Sequence, residues 1–183
     1  MSDDPIEIDQ GNGEIWRPEN FEVGEYLGDT TLRRGLEMSR NVMTARLAHT
    51  IGMDSIAETA QRMGVYEKLP QFLSNSLGSE VTTLLKLTTG YAEFVNGGRK
   101  LEPTLIDRVQ DRNGKTIYRH EPRVCEGCAE AQNVDWKSGQ KPPAPRIIDS
   151  RQPFDDPASV YQVVHMMLGV TTRGTAGRLA ALG

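Results

Sequence analysis

The stretch GLEMSRNVMTARLAHTIG, residues 35–52, decides how this chain is interpreted, because it predicts two helices that meet at Ser39-Arg40-Asn41. Ser and Asn are poor residues for a helix interior, since their short polar side chains compete for backbone hydrogen bonds. The junction therefore has two interpretations. Ser39 and Asn41 cap helices, or they form a catalytic pair in which the hydroxyl relays a proton and the carboxamide binds a substrate amide.

The composition predicts one soluble globular domain that does not bind nucleic acid. The chain has 183 residues and a mass of 20.3 kDa, enough for a single core, with 37% apolar and 25% charged residues. Its net charge of −4 and isoelectric point of about 5.4 give no basic footprint. No apolar run approaches the roughly 18 residues of a membrane span, and the first residues lack the pattern of a signal peptide.

Helical periodicity extends well beyond the junction. It begins near Thr31, and Gly52 is a plausible end for the second helix, after which Asp54 is expected to cap a third. Ser79 is expected to open the strongest helix, which ends at Gly97-Gly98. Its inward face is predicted to comprise Val81, Leu84, Leu85, Thr88, Tyr91, Ala92 and Val95.

The pattern changes after this helix. Asn113-Gly114 lies between two β-prone runs and predicts a hairpin, and Asp156-Pro157 predicts the start of a last helix. This order predicts an α+β fold with a helical subdomain. The expected organisation is an irregular leader over 1–29 and a main domain over 30–183, the latter comprising a helical subdomain over 30–98, a β-hairpin over 103–121, an exposed C-x-x-C and Pro-rich loop over 122–145, and a returning segment with a helix over 146–183.

Cys125 and Cys128 form a C-x-x-C motif in that exposed loop. The spacing suits half of a zinc site, a redox pair or a local disulfide. A zinc site needs two more ligands, and His120 is the only nearby histidine. A disulfide is favoured in an oxidising compartment, where it would stabilise modestly because the closed loop is short.

One further spacing, S-x-x-K, spans Ser138 to Lys141. It resembles a nucleophile and its activating lysine, which one helical turn would bring together. Gly139 and Pro142 argue against a helix there, so we interpret the match as chance.

Four blocks of the sequence, in order, resemble the transpeptidase domain of class A penicillin-binding proteins. They are WRPEN, LGDTTLRRGLEMSRNVMTARLAHTIG, SLGSEVTTLLKLTTGYAEFVNGG and GVTTRGTAGRLAALG. The resemblance covers about Glu14 to Gly183 and is weakest over 122–145. It implies a partial α+β serine D,D-transpeptidase domain, related to β-lactamases, with its helical subdomain and a β-hairpin but with the central sheet incomplete. The C-x-x-C loop is similar to that of the alphaproteobacterial branch.

The family has three motifs, S-x-x-K, S-x-N and K-T-G, that meet in one cleft. Only S-x-N is matched here, by Ser39 and Asn41; Lys115-Thr116-Ile117 is not K-T-G. The other two motifs would precede Glu14 and follow the last block, and the glycosyltransferase domain and membrane anchor of the class are not seen. We therefore expect an internal fragment that is inactive alone.

For an intact relative, the resemblance implies attack by the S-x-x-K serine on peptidoglycan stem peptides that end in D-Ala-D-Ala. A second stem amine then resolves the acyl-serine into a cross-link, and β-lactams acylate the same serine. Ser39 would relay a proton to the leaving nitrogen, and Asn41 would hold the acyl-amide carbonyl, with Arg40 facing solvent. No cofactor or metal is implied. The intact relative would lie at the periplasmic face of the bacterial inner membrane, held only by its N-terminal anchor.

Two other hypotheses stay open. The chain could be a non-catalytic module that binds cell-wall peptide or a partner protein, which fits its acidic leader. It could also be a metal or redox module built on Cys125 and Cys128.

Overall fold

The computed structural model describes residues 1–9, 13–120, 123–129, 139 and 144–182, and it divides into two compact units. Unit 1 combines Met1–Lys100 with Pro153–Gly183, and unit 2 is Leu101–Gln152. The S-x-x-K spacing from Ser138 to Lys141 lies outside the described residues, apart from the backbone turn at Gly139.

Unit 1 is helical apart from a short strand pair in the leader. Its elements are β1 Ile8–Asp9, β2 Ile15–Trp16, α1 Leu32–Glu37, α2 Asn41–Ile51, α3 Met53–Arg62, a 3₁₀ helix Leu73–Leu77, α4 Leu84–Val95, α5 Pro157–Arg173 and a second 3₁₀ helix Gly177–Leu182. The strands β1 and β2 pair antiparallel, with Ile8 opposite Trp16. Helix α1 packs on α5, α2 on the first 3₁₀ helix and α4 on α5.

The core of unit 1 lies between α2, α3 and the segment that follows them. Ala48, Met53, Ala57 and Leu69 form a buried cluster, with Ile56 and Tyr66 among the side chains packed against it. Small alanines on facing helices let the two backbones approach closely, and the larger side chains fill the remaining space. This packing fixes α2, whose first turn carries Asn41.

Two predicted helix starts are wrong. Helix α3 begins at Met53, directly after Gly52, so Asp54 lies within the first turn and does not cap the helix. Gly52 has a φ of +86°, which turns the chain so sharply that α3 follows α2 at once. Helix α4 begins at Leu84 rather than near Ser79, because the Thr83 hydroxyl accepts a hydrogen bond from the Lys86 N–H at 3.2 Å.

The predicted inward face of α4 is also wrong. Leu84 is 82% exposed, and Tyr91 and Val95 are exposed as well. The helix instead packs through Gly90, whose backbone lies against Val65, and through the Phe94 ring, which contacts Phe154 edge-to-face at 5.2 Å. Apolar periodicity identifies a face suited to burial, but it does not show that a partner covers that face.

The predicted start of the last helix is confirmed. The Asp156 side chain accepts a hydrogen bond from the Ser159 N–H at 2.9 Å, and Pro157 is the first residue of α5. Val160 is buried on the inward side of this helix. An aspartate cap followed by proline thus sets the boundary, because proline needs no intrahelical N–H bond at that position.

Within its described residues, unit 2 contains two antiparallel strand pairs, and the hairpin predicted at Asn113-Gly114 is confirmed. The Asp111 carboxylate accepts hydrogen bonds from the N–H groups of Asn113 and Lys115, at 2.8 and 3.0 Å, and so closes the turn. With helices in unit 1 and strand pairs in unit 2, the predicted α+β class is confirmed. The strands are β3 Arg108–Gln110 paired with β4 Thr116–Arg119, and β5 Val124–Glu126 paired with β6 Arg146–Ile148.

Candidate functional site

The junction between α1 and α2 is a Schellman motif. The Ser39 N–H donates to the Leu36 carbonyl at 3.1 Å, and the Arg40 N–H donates to the Gly35 carbonyl at 2.9 Å. These two bonds satisfy carbonyl groups that the end of a helix leaves unpaired. A Schellman motif requires a residue in the left-handed conformation directly after the C-cap. That residue is Ser39, with a φ of +54°.

Ser39 stands where the local backbone favours glycine. It is the only non-glycine residue with a positive φ in the described part of the chain. A side chain in this conformation costs about 1 kcal/mol or more, because its Cβ crowds the backbone. The side chain is exposed, and no hydrogen bond to its hydroxyl forms within the described residues. The strain is therefore not offset by local bonding of the hydroxyl.

The interpretation of Ser39 and Asn41 as helix caps holds only in part: Ser39 ends α1 through its backbone, but neither side chain caps α2. The residue at the N-cap position of α2 is Arg40, which makes no side-chain cap. The N–H of Val42, which has no partner within α2, instead donates to the Oδ1 of Asn20 at 3.2 Å. Asn20 belongs to the leader. Asn41 donates its side-chain amide to the Glu19 carbonyl at 3.1 Å and so bonds no group of its own helix.

Ser39 and Asn41 line one groove of about 470 Å³ in unit 1. The Asn41 amide donates one hydrogen to Glu19 and still offers a donor hydrogen and an acceptor oxygen. A hydroxyl can both donate and accept, so the pair can bind a substrate amide and transfer a proton beside it. The rest of the groove is mainly apolar, lined by Leu32, Gly35, Leu36, Met43, Thr44, Leu47, Val163 and Met166.

The expectation that Arg40 faces solvent is wrong. Its side chain is 5% exposed, and its Nε lies 2.8 Å from the Oδ2 of Asp3, which is fully buried. Its Nη1 lies 3.4 Å from the Glu22 carboxylate, and its Nη2 donates to the Glu25 carbonyl. While the flanking Ser39 is exposed, Arg40 points into the protein.

The Asp3 carboxylate that binds this arginine accepts hydrogen bonds from other groups as well. It accepts the Leu27 N–H at 3.0 Å and the Asn20 side-chain amide at 3.2 Å. The same Asn20 accepts from Val42, so one polar cluster joins the leader to Arg40 and to the first turn of α2. Sequence reasoning missed this cluster because the acceptors of the Arg40 side chain lie 15 to 37 positions away and no local pattern links them.

A second buried charge lies on the other side of the junction. The Glu37 carboxylate bonds the guanidinium of Arg173 at the end of α5, with the Nε 3.0 Å from the Oε2. The Glu37 carbonyl also accepts the Thr175 N–H at 3.1 Å. Gly169 and Gly174 lie against Glu37, and their missing side chains leave room for it. The sequence gives no signal for this contact.

Cys125 and Cys128 lie in unit 2 and are paired as a disulfide, with their Cα atoms 5.6 Å apart. They line a small cavity of about 250 Å³ together with Asp107, Arg119 and Arg123. Among the described residues, no group of three or more His, Cys, Asp or Glu could hold a metal ion.

No described helix combines the length and the apolar character that crossing a membrane would require.

Comparisons with known proteins identify the family and the fold. The family model for the penicillin binding protein transpeptidase domain matches residues 5–181. Penicillin-binding protein 1A of Rickettsia bellii is 39% identical over 184 residues, which cover 100% of this chain and 23% of that protein. Penicillin-binding protein 1A of Neisseria gonorrhoeae is 34% identical over 173 residues, covering 94% of this chain and 19% of the relative.

Two solved structures share the fold. Penicillin-binding protein 1A from Haemophilus influenzae superposes with a TM-score of 0.74 at 26% identity, covering 99% of this chain and 28% of that one. The penicillin-binding protein PonA1 from Mycobacterium tuberculosis superposes with a TM-score of 0.67 at 18% identity, over 93% of this chain and 41% of that one.

The family match covers nearly all of the chain, and the first curated relatives add identity over its whole length. This chain spans about a quarter of the length of those relatives, so it corresponds to part of such a protein. The predicted resemblance to class A penicillin-binding proteins and the predicted partial transpeptidase fold are both confirmed. The chain belongs to the penicillin-binding protein transpeptidase family.

Proposed function

We propose that this chain supplies the S-x-N groups of a peptidoglycan D,D-transpeptidase site. The observation that carries the proposal is that Ser39 and Asn41, two residues apart, line one groove while Arg40 between them is buried. A relay hydroxyl and a carbonyl-binding amide must reach the same substrate, and this alternation directs both to the same space.

The proposed reaction begins when a serine nucleophile attacks the carbonyl between the two terminal D-alanines of a stem peptide. The C–N bond breaks, the acyl group stays on the serine oxygen, and D-alanine leaves after its nitrogen gains a proton. Ser39 passes that proton, since it can accept from one neighbour and donate to another. Asn41 donates its remaining amide hydrogen to the acyl-amide carbonyl of the substrate.

We further propose that these 183 residues do not form the acyl-enzyme by themselves. The family's nucleophile lies in S-x-x-K, and the one such spacing in the sequence, Ser138 to Lys141, is interrupted by Gly139 and followed by two prolines. K-T-G does not occur in the sequence. The proposed partners are stem peptides ending in D-Ala-D-Ala, and β-lactams where the nucleophile is present, at the periplasmic face of the inner membrane.

Labelled penicillin tests the proposal that the chain does not acylate. We expect no covalent label on the purified chain, and labelling of intact penicillin-binding protein 1A from Haemophilus influenzae as the positive control. A label on any serine of this chain would overturn that part of the proposal.

Non-covalent binding of substrate tests the proposed role of the groove. We would titrate the chain with a stem peptide ending in D-Ala-D-Ala and follow the NMR signals of residues 39–44. The expected result is a shift of the Asn41 side-chain amide that weakens in Ser39→Ala. A matched peptide ending in L-Ala-L-Ala is the control. Equal shifts with both peptides, or shifts confined to unit 2, would contradict the proposal.

The disulfide of Cys125 and Cys128 is proposed as a structural staple of unit 2. It joins Cys125, the middle residue of β5, to Cys128, three positions along the chain. We expect thiol titration of the purified chain to find no free thiol and metal analysis to find no bound zinc. Stoichiometric zinc would favour the metal-module hypothesis instead.

A further inference from the structure

We propose that Arg40, held by the buried carboxylate of Asp3, is a positioning residue for the S-x-N pair. The inference rests on the proposed function, because it concerns how Ser39 and Asn41 reach the substrate. It assigns a role to Arg40, the central residue of the tripeptide, which does not itself line the groove.

The first step of the argument is the anchoring of the guanidinium. The Arg40 Nε lies 2.8 Å from the Asp3 Oδ2, its Nη1 lies 3.4 Å from the Glu22 Oε2, and its Nη2 donates to the Glu25 carbonyl. Three acceptors at different positions fix the plane of a guanidinium as well as its place. The side chain therefore has one orientation.

The second step is that the Arg40 backbone belongs to both helices. Its N–H closes the end of α1 on the Gly35 carbonyl, and its carbonyl accepts the Thr44 N–H at 3.2 Å to begin α2. A side chain that is fixed in place thus fixes the relative direction of the two helix ends. Ser39 and Asn41, on either side of Arg40, inherit that direction.

The third step concerns the strain at Ser39. A serine with a φ of +54° would relax toward a negative φ if the surrounding bonds allowed it. The Schellman bonds and the anchored Arg40 oppose that relaxation. Loss of the anchor should therefore show first as a change of φ at Ser39 and as loss of the Asn41 bond to the Glu19 carbonyl.

The fourth step is that stability alone does not require this ion pair. A buried charge pair is often no more stabilising than apolar side chains of the same volume, because both charges lose their hydration. Orientation is what a bonded guanidinium provides and an apolar side chain does not. A purely structural role and a positioning role therefore make different predictions for conservative variants.

The experiment compares Arg40→Met, Arg40→Lys and Asp3→Asn with the wild-type chain by NMR. Backbone scalar couplings report φ at Ser39, and the Asn41 side-chain amide signal reports its bond to Glu19. We expect Arg40→Met and Asp3→Asn to move both signals while the signals of α3 and α4 stay in place. Arg40→Lys, which keeps the charge, is expected to restore both signals in part.

Asp3→Asn guards against a failure of Arg40→Met to fold, since asparagine keeps the shape and a neutral oxygen at the position of Oδ2. The Leu27 N–H and the Arg40 Nε both donate to that Oδ2, so this variant removes only the charge of the anchor. The matched control is Arg17→Met, which removes an arginine that pairs with Glu7 at the same 2.8 Å but on the surface. The proposal is overturned if a folded Arg40→Met or Asp3→Asn keeps the wild-type φ at Ser39 and the wild-type Asn41 signal.

A second readout separates this proposal from the proposed function. We expect the affinity for the D-Ala-D-Ala peptide to fall about tenfold in Arg40→Met and to recover in Arg40→Lys. If the wild-type chain binds no such peptide, the proposed function fails, while the couplings at Ser39 still decide the positioning role. Unchanged affinity in Arg40→Met, with binding by the wild type intact, would contradict the positioning role alone.

Discussion

Glu37 and Arg173 form an ion pair across 136 positions of the sequence, with the Arg173 Nε 3.0 Å from the Glu37 Oε2. The pair is asymmetric, because the Glu37 side chain is 2% exposed and the Arg173 side chain is 52% exposed. It joins the end of α1, two residues before Ser39, to the end of α5. The S-x-N turn is thus fixed on one side by Arg40 and on the other by Glu37.

The asymmetry of this pair gives the first prediction. Arg173→Met leaves a buried carboxylate without its cation and should lower the free energy of unfolding by about 3 kcal/mol. Glu37→Gln leaves only a half-exposed guanidinium that water can solvate, so its effect should be smaller, about 1–2 kcal/mol. Urea unfolding followed by circular dichroism measures both.

Arg17→Met is the control for the ion-pair series, because it breaks a pair in which both side chains are mostly exposed. We expect its effect to stay within about 0.5 kcal/mol. A larger loss in Glu37→Gln than in Arg173→Met would show that burial of the carboxylate does not govern the pair.

The second prediction concerns the backbone at Ser39. Ser39→Gly should raise the free energy of unfolding by about 1 kcal/mol, because glycine adopts a positive φ without crowding. The same change removes the hydroxyl and should abolish its contribution to binding of the D-Ala-D-Ala peptide. Ser39→Ala is the matched control, since it loses the hydroxyl but keeps the Cβ, and its stability should stay near that of the wild type.

The third prediction concerns the remote cap of α2. Asn20→Ala removes the acceptor for the Val42 N–H and a donor to Asp3, and it should cost about 1–2 kcal/mol. Asn41→Ala, which removes one bond to Glu19 at the groove, should cost about 0.5–1 kcal/mol. Thermal and urea unfolding of both variants would compare them. A greater loss of stability in Asn41→Ala than in Asn20→Ala would show that the tripeptide, and not Asn20, caps α2.

The fourth prediction tests the exposed face of α4 with two valines. Val160→Ala on α5 removes a side chain that is 3% exposed and should cost about 2 kcal/mol, whereas Val95 is 79% exposed and its change to Ala should be nearly neutral. Urea unfolding measures both effects. A loss in Val95→Ala as large as in Val160→Ala would show that this face is covered in solution.

Local signals in the sequence predicted those features whose causes are local. The Asp156-Pro157 boundary, the Asn113-Gly114 turn and the break between Ser39 and Asn41 each follow from residues within a few positions of one another. The family resemblance then predicted that Ser39 and Asn41 act as a catalytic pair, a choice that the junction alone left open.

Long-range partners were beyond the reach of the sequence. The burial of Arg40 depends on Asp3, 37 positions away, and the cap of α2 comes from Asn20 in a segment predicted to be irregular. A charged residue in a polar tripeptide is usually exposed, so composition alone favours the wrong answer. The prediction for α4 was wrong for the opposite reason. Its apolar pattern was clear, but the sequence did not show whether another element covers that face.

The left-handed serine has a practical consequence for protein engineering. A library screened only for expression or heat resistance would enrich glycine at position 39. Such a screen selects for an unstrained backbone and does not test whether the hydroxyl is needed for activity. Selection for folded yield would thus remove the hydroxyl while it increased the stability of the protein. A consensus design of the junction should therefore keep serine at position 39.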